Sequence, residues 1–593
     1  MAARREGARV SATPSFLAEL KRRNVFRVGA FYAASAWLLV QVATQVLPIF
    51  GISERVERWI VVALVLGFPF ALGFAWFYEL TPAGLRRDSE VERSESETRR
   101  SGRRMDRAII AVLAAAVAML LADRLVLHRE ASSPRDKSIA VLPLLNESGA
   151  AQDEYFSDGL SEELIAALTR IEGLKVIGRS SSFRFKGSTE DSRAIGKALD
   201  VGTLLEGTVR RQNDRVRIVA ELVDATDGRS MWSQTYDREL KDVFAVQAEI
   251  AQAVADSLRA ALLGGSRNAT RVATQSVAAH DAYLRGHQYF DRYDTESFRI
   301  ALKFFDEAVR LDPGYAQAYA ERAETWSWLS DQTSDDVEAA RAAARRDAEK
   351  AVALAPELSD AHTALGWVRF FLDWDFNSAV TELKTALRLA PGSAKPKVLL
   401  AQVMTTMRQL DEGVTLARQA VELDPYYFPA HAILARNLIA AGQLDEAQAQ
   451  AQKAAELQPN AAGVRRWQTT VAVVRGNAEA ALHEAQQEPL NIYRRFELAL
   501  ALSIGSDRAA ADAALEDLIA NDGTVAMYQI AEVYAVRGET SKAFEWLDRC
   551  YTMRDTGLLS TAVDPLLRNL HPDPRYGALL TRIGLPLPPD AAR

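Results

Sequence analysis

A chain of 593 residues with 71 basic and 78 acidic side chains is too long for one core at about 100 to 200 residues per domain, so several domains are expected. The net charge of -7 excludes the overall basic footprint of a general nucleic-acid-binding protein. The single cysteine, Cys550, excludes an intrachain disulfide and a cysteine-based zinc site, and the seven histidines show no ligand spacing. We expect no metal site and no cofactor.

Two uncharged apolar runs stand near the start of the chain, at 28–50 and 59–78. At 1.5 Å per residue, each is long enough to span a hydrocarbon core of about 30 Å. Neither run has a polar face, which argues against a buried hairpin of a soluble domain. The pattern predicts a transmembrane hairpin that follows a cytoplasmic N-terminus, residues 1–27.

A third apolar run, 108–127, is interrupted by Asp123 and Arg124. The loop before it, 79–107, is rich in arginine and indicates a solvated cytoplasmic segment or, alternatively, a contact for anionic lipid. By the positive-inside rule, the third run is predicted to be a third span that carries the rest of the chain out of the cytoplasm. The alternative is a helix on the membrane surface, which leaves the C-terminal part in the cytoplasm.

Short strands and helices alternate from 137 to 263. The words at Ser138–Leu145 and Leu174–Gly178 predict buried strands with a capped helix between them. Three segments of alternating polarity follow and predict an antiparallel meander. Its turn signals are Gln212-Asn213-Asp214 and Thr226-Asp227-Gly228. A last amphipathic helix is predicted from Val243 to Leu263.

The sequence segments of this region, in their order along the chain, resemble a known family. SIAVLPLLN, YFSDGLSEELIAAL, LLEGTVRR and RVRIVAELVDATDGRSMWSQTYDREL are similar to the TolB amino-terminal-like domain, which is related to the flagellar outer-membrane assembly protein domain. The resemblance covers 137–263. It implies an α/β domain that lies between a membrane or enzymatic N-terminal part and tetratricopeptide repeats in a bacterial envelope protein. It implies no catalytic residue.

Two groups of side chains in this domain have alternative interpretations. The run Gly178–Gly187 interleaves basic, hydroxyl and aromatic residues, so it fits an anion or polysaccharide site or a strand-to-loop edge whose arginines pair with Asp158 or Glu206. We favour the structural interpretation. Trp232 and Tyr236 are expected to pack in the core or across strands rather than to form a sugar platform.

Prolines recur after similar phrases in the C-terminal half. They are Pro313, Pro356, Pro391, Pro425 and Pro459. The last three intervals, of 35, 34 and 34 residues, match the tetratricopeptide period, and each proline is expected to end a second helix.

Twelve, eight and five residues before each proline stand mostly small side chains that let two helices approach. They are Ala301, Phe305, Ala308; Ala344, Ala348, Ala351; Ala379, Leu383, Ala386; Gly413, Ala417, Ala420; and Ala447, Ala451, Ala454. Two degenerate repeats are predicted around Ala481 and Ala485 and around Ala531, Tyr534, Ala543 and Leu547. We therefore expect a solenoid over 278–590, with Cys550 buried in its last hairpin.

The predicted fold class is thus multi-domain, with N-terminal transmembrane helices, an α+β domain and an all-α tetratricopeptide-repeat solenoid. An enzyme is not expected, because a cyclase or kinase domain needs about 150 residues or more that this chain does not spare, and no kinase, phosphate-loop or Ser-His-Asp pattern is present. We predict no catalytic or cofactor-binding residue, and the sequence does not identify protein-binding residues.

The predicted function is a non-enzymatic scaffold in the bacterial cytoplasmic (inner) membrane, with periplasmic C-terminal domains that bind a protein or peptide on the repeats. No nucleic acid or small-molecule substrate is expected. One alternative is a transmembrane signalling receptor or regulator, related to cyclase- or transcription-factor-linked members of the resembled family, whose arginine-rich loop passes on a ligand-dependent state. Another is a cytoplasmic adaptor.

Overall fold

The computed structural model describes residues 137–149, 154–239, 274–332 and 337–587, except 275 and 293. It also describes 78–81, 84–87 and single positions within 32–69 and 246–254. The chain divides into two compact units, Met1–Ser132 and Ser133–Arg593. Each is described by itself.

The first unit contains a β-hairpin of β1, Tyr78–Thr81, and β2, Gly84–Arg87, which pair antiparallel. The Tyr32 hydroxyl donates a hydrogen bond of 2.8 Å to the carbonyl of Leu64. Tyr78, placed by the sequence at the end of the second apolar run, therefore begins a strand.

The prediction of N-terminal transmembrane helices is not supported by the structure. In the part of the chain that the structure describes, no helix is both long and apolar enough to cross a bilayer. The longest helix there, Val337–Leu354, has 18 residues, and its Arg, Lys, Asp and Glu residues keep it polar. Most of the runs at 28–50, 59–78 and 108–127 lies outside the described residues. The predicted location as a multi-pass inner-membrane protein loses its support together with these helices.

The second unit begins with a mixed domain. Its strands are β3 Ser138–Val141, β4 Leu145–Asn146, β5 Lys175–Val176, β6 Thr203–Gln212, β7 Arg215–Asp224 and β8 Ser230–Glu239. Its helices are α1 Glu154–Leu168, α2 Arg179–Phe183 and α3 Ser192–Leu199. The sheet order is β5-β3-β6-β7-β8, with β4 beside β6. β3 pairs parallel with β5 and β6, whereas β6, β7 and β8 form the predicted antiparallel meander.

Both faces of this sheet bury apolar side chains. On one face, Leu164 of α1 packs with Val141 and Ile218, and the helical positions within 246–254 join the same core. On the other face, Leu199 of α3 packs with Leu204. The helices are therefore held to the sheet by burial, which contributes roughly 25 cal/mol per Å² of apolar surface.

Eight helical hairpins follow the mixed domain in the described part of the chain. The first four are α4 Val277–Phe290 with α5 Thr295–Leu311, α6 Ala316–Gln332 with α7 Val337–Leu354, α8 Ser359–Val368 with α9 Phe376–Leu389, and α10 Ala394–Thr406 with α11 Leu410–Leu423. The last four are α12 Phe428–Ala440 with α13 Leu444–Leu457, α14 Arg466–Val474 with α15 Ala478–Gln486, α16 Asn491–Ser503 with α17 Arg508–Asp522, and α18 Met527–Val536 with α19 Thr540–Met553. Two 3-10 turns, Thr556–Ser560 and Pro565–Leu570, and α20, Pro574–Ile583, complete the described chain.

The small-residue positions explain how each hairpin closes. Ala301, Ala348, Ala386 and Ala417 are fully buried, as are nearly all their counterparts. Each of the five repeat prolines comes two residues after a second helix ends. The structure is therefore mostly helical with a C-terminal repeat region, as predicted.

The interval of 35 residues has a structural cause. A π-helix, Arg369–Asp373, continues α8 in the hairpin that ends at Pro391. A π-turn accommodates one extra residue within a helix. At its end Trp374 adopts a positive φ of 59°, which turns the chain toward α9.

Candidate functional site

Stacked helical hairpins form a superhelix whose inner surface suits peptide ligands. In this solenoid the first helices of successive hairpins pack side by side, as α6 does with α8, α10 with α12 and α16 with α18. We call the surface formed by the eight first helices the inner face. Three groups of residues lie on it or border it: the junction with the mixed domain, the C-terminal segment and an aromatic row.

Helix α1 of the mixed domain packs against α4. Oε1 of Glu163 lies 3.1 Å from Nε2 of His280, and Oε2 of Glu162 lies 2.8 Å from Nε2 of His287. Gly159 permits this approach, because a Cβ there would lie 2.4 Å from Cδ2 of Leu284. The mixed domain therefore packs on the first hairpin, and two histidine-carboxylate contacts join α1 to α4.

His287 lies at the centre of a buried charge network. Its Nδ1 lies 2.8 Å from Oε2 of Glu321 on α6. Burial alone would lower the pKa of His287, but Glu162, Glu321 and Asp291 raise it well above 6.5. Burial also opposes ionisation of Glu162, but His287 and Arg179 outweigh it and lower the pKa of Glu162 to about 2. The network therefore pairs a charged imidazole with ionised carboxylates.

Three members of this network have the geometry of a metal site. One ligand atom from each of Glu162, His287 and Asp291 lies within 4.8 Å of the others. However, Nη1 of Arg179 lies 2.6 Å from Oδ2 of Asp291, and its Nε also contacts Glu162. A metal ion would have to displace this guanidinium. We therefore interpret the group as an ion-pair network that joins the two domains.

His280 behaves differently from His287 although both lie on α4. Its Nδ1 lies 3.0 Å from the hydroxyl of Tyr315, and burial lowers its pKa to about 3. A neutral ring can donate from Nε2 to Glu163 and accept from Tyr315 at Nδ1. His280 is therefore a hydrogen-bonded neutral side chain.

Asp424 makes a second contact between the domains. It follows α11 and accepts hydrogen bonds of 2.9 and 3.3 Å from the backbone N–H groups of Ser181 and Ser180 at the start of α2, and one from the Ser181 hydroxyl. The N–H of Gly178 donates to the carbonyl of Leu423 at 2.9 Å. Burial raises the pKa of Asp424 to about 6, although these hydrogen bonds oppose the shift. The loop after α11 is therefore locked to the mixed domain.

The C-terminal segment closes the solenoid. The turn Pro565–Leu570 packs on α18 and α14, and the turn Thr556–Ser560 reaches the π-helix. Nη2 of Arg554 donates to the carbonyl of Asp373 at 3.1 Å, and the guanidinium lies 4.5 Å from the ring centroid of Trp374. The last hairpin therefore contacts the third.

An aromatic row crosses the first helices of the second and third hairpins. The ring centroids of Trp328 and Trp367 are 5.2 Å apart, and those of Trp367 and Phe371 are 4.4 Å apart. All three side chains are half-buried. One helical turn before Trp328 on α6, Oε2 of the buried Glu324 lies 2.7 Å from Nζ of Lys395. Part of each ring is therefore accessible beside a salt bridge.

The run Gly178–Gly187 is not the strand-to-loop edge that the sequence predicts. It begins with α2, because Asp424 from the distant solenoid accepts hydrogen bonds from the first N–H groups of that helix. Lys186, rather than an arginine, pairs with Asp158 at 2.7 Å. The charged groups of the run serve contacts within the chain, which favours the structural interpretation.

Two other predictions about side chains are confirmed. Tyr236 is buried opposite Ile218, and Trp232 pairs with Leu222 at the edge of the same core. Cys550 is fully buried in α19. The junction residues were missed: the spacing of His287 and Asp291 on one helix face is their only local signal, and Glu162 is remote in sequence.

A family model matches the mixed domain. Residues 135–253 match the family described as HilA/YgeH-like transcriptional regulator, second domain. A protein of Rhizobium meliloti (strain 1021) named "Putative adenylate cyclase 3" is 39% identical over 189 residues, which are 32% of this chain and 32% of that protein. The chain thus spans about a third of the length of the curated relative it matches. The resemblance to a TolB amino-terminal-like domain stays a prediction.

Many solved structures are similar to parts of this chain, and three of them are tetratricopeptide-type or pilus proteins. The three are PilW, a type IV pilus biogenesis factor (15% identity, 43% of this chain, 97% of that chain, TM-score 0.28), PilF of Pseudomonas aeruginosa (17%, 37%, 97%, TM-score 0.29) and YrrB, a TPR protein with an unusual peptide-binding site (22%, 36%, 97%, TM-score 0.24). Each of them is aligned with less than half of this chain.

Proposed function

We propose that this chain is a non-enzymatic protein-interaction scaffold that binds a protein or peptide through the aromatic row of Trp328, Trp367 and Phe371. The observation that carries the proposal is the position of this row on the first helices of a helical-hairpin solenoid. Such surfaces bind peptides, and large aromatic side chains dominate binding energies at protein interfaces.

The way the chain covers itself supports this choice of surface. The mixed domain packs on the first hairpin, the turn Pro565–Leu570 packs on the sixth and eighth, and the turn Thr556–Ser560 reaches the third at the end of the π-helix. The half-buried row lies on the second and third hairpins, where the salt bridge of Lys395 and Glu324 adds a polar border. A partner that inserts an apolar side chain beside the rings would gain burial there.

Site-specific photo-crosslinking tests this surface. A photoreactive phenylalanine replaces Trp367 in the full chain, and a matched variant carries it at Lys384, an exposed residue of α9. We expect the same protein to be crosslinked repeatedly from position 367 and not from position 384. Equal products from both positions would contradict recognition by the aromatic row.

The similarities of the mixed domain favour a second candidate, a regulatory module that passes partner binding from the solenoid to this domain. The family match is to a domain of a transcriptional regulator. Hydrogen exchange of α1 separates the two candidates: protection that changes when the crosslinked partner is bound favours regulation, and unchanged protection favours a passive scaffold.

A further inference from the structure

A pair of arginines lies close to the C-terminal segment. Arg436 is on α12 and is 8% exposed, whereas Arg466 begins α14 and keeps 19% of its side chain exposed. Arg466 also lies over the ring of Phe496, 5.5 Å from its centroid. Two cations therefore occupy a largely dehydrated part of the inner face.

The hydrogen bonds of this pair are incomplete. Nη2 of Arg436 donates to the hydroxyl of Ser560 at 3.2 Å, and Nη2 of Arg466 donates to Oε1 of Glu532 at 3.0 Å. Nη1 of Arg436 and Nε of Arg466 are buried and have no acceptor among the described residues. Buried N–H groups of native proteins almost always have a partner, because an unpaired one loses the hydration it had in water.

The neighbouring carboxyl groups do not balance the two cations. Asp564 already accepts hydrogen bonds from the Tyr528 hydroxyl at 3.0 Å and from the N–H of Leu566 at 2.9 Å. Burial raises the pKa of Glu532 well above its usual range, although Arg466 opposes this. Burial, followed by the charge of Arg466, lowers the pKa of Arg436 to about 10. Glu532 and Asp564 are also hydrogen-bonded to each other, so the two guanidinium groups face a carboxyl pair in which Glu532 is held toward its neutral form.

We propose that Arg436 and Arg466 bind a small oxyanion, a carboxylate or a phosphate, beside the turn Thr556–Ser560. The planar fork of arginine matches the oxygens of both groups. The unpaired Nη1 of Arg436 and Nε of Arg466 would each gain an acceptor, and the anion would lie between two cationic groups. This site goes beyond the proposed function, because its ligand is small and its residues are not those of the aromatic row.

Calorimetry and thermal unfolding of the full chain test the proposal. The probes are sodium phosphate and sodium succinate, each compared with sodium chloride at the same ionic strength. We expect saturable binding of at least one oxyanion with half-saturation below about 1 mM, and a melting temperature that rises with its concentration. The comparison of phosphate with succinate shows which oxyanion is preferred.

Three variants make the test specific. Arg436→Met should lose the oxyanion response, and Arg436→Lys should weaken it at least about tenfold because the fork is lost. Arg418→Met is the control, since Arg418 pairs with Glu446 at 2.6 Å on the surface and should respond as the parent does. If Arg436→Met fails to fold, Arg436→Lys decides the test.

Several results would overturn the proposal. They are an equal response to chloride, an undiminished response of Arg436→Lys, and the absence of any saturable response. Anomalous scattering from selenate between the two guanidinium groups in a crystal would support it directly, whereas ordered water at full occupancy there in the presence of selenate would overturn it.

Discussion

Glu162 and His287 join the mixed domain to the solenoid through one contact of 2.8 Å between Oε2 and Nε2. The contact stabilises only while the imidazole is charged and the carboxylate is ionised. Because the pKa of His287 is raised well above 6.5, its contribution is fully present below pH 6.5 and is lost as the pH rises through the raised value. The contribution of Glu162 is present above pH 4.5 and is lost as the pH falls through about 2.

The first prediction concerns this alkaline loss. Urea midpoints of the parent chain should fall between about pH 7 and pH 9, because above the histidine pKa of the unfolded chain only the native His287 keeps its proton. His287→Gln should be less stable at the low end and should show a flatter profile. His280→Gln is the matched control on the same helix, because the native His280 is neutral and its unfolded form is neutral too above about pH 7.5, so its removal leaves the slope unchanged there. Parallel profiles for the parent and His287→Gln would refute the charged imidazole.

The second prediction concerns the contact between Gly178 and Asp424. A Cβ at position 178 would lie 2.2 Å from Oδ2 and 2.5 Å from Cγ of Asp424, so Gly178→Ala must displace a carboxylate that binds Ser180 and Ser181. We expect a loss of about 1 to 3 kcal/mol in the free energy of unfolding. Gly577→Ala is the control, since its Cβ would lie 3.7 Å from Leu587 in ordinary contact. A loss no larger than that of the control would show that the loop moves freely.

The periodic part of the fold could be predicted because each second helix packs on its first helix through residues at the same spacing. Small residues at spacings of four and three meet the first helix, and a proline follows. The seventh hairpin escaped prediction although Ala511, Leu515 and Leu518 keep this spacing and are buried, because Gly523 stands where the proline is expected.

The junction and the C-terminal closure could not be predicted in the same way. Asp424 accepts hydrogen bonds from the start of α2 although it lies in a distant part of the sequence, and Arg554 of the last hairpin meets Trp374 of the third. Such contacts depend on the accumulated curvature of the solenoid, which no local pattern encodes. The apolar runs at 28–50 and 108–127 led to the opposite error. They predict spanning helices strongly, but no helix among the described residues is long and apolar enough to cross a membrane.

The third prediction concerns Cys550, which stands at the third small-residue position of α19, after Ala543 and Leu547. Burial raises the pKa of its thiol far above the usual range, so the thiolate that reacts with disulfide reagents is not formed. A thiol reagent such as dithionitrobenzoate should label the native chain negligibly and should label one thiol per chain after unfolding in urea. Cys550→Ala should fold, whereas Cys550→Leu should lose about 1 to 3 kcal/mol by overpacking. Rapid labelling of the native chain would contradict this placement.

The last prediction concerns the closure made by Arg554. Its side chain donates to the carbonyl of Asp373 and stacks on Trp374, while its own backbone holds a φ of +52°. Arg554→Ala removes the side-chain contacts and keeps the backbone strain, so we expect a loss of about 1 to 3 kcal/mol and faster hydrogen exchange in 369–376 and 556–570.

Arg554→Gly loses the same contacts but relieves the strain of about 1 kcal/mol that a left-handed residue carries. It should therefore be more stable than Arg554→Ala, with the same local increase in exchange. Arg310→Ala, which breaks a surface pair with Glu307, should leave exchange at the closure unchanged. If both variants at position 554 also leave it unchanged, the contact of the last hairpin with the third depends on the apolar packing of the C-terminal segment rather than on this guanidinium.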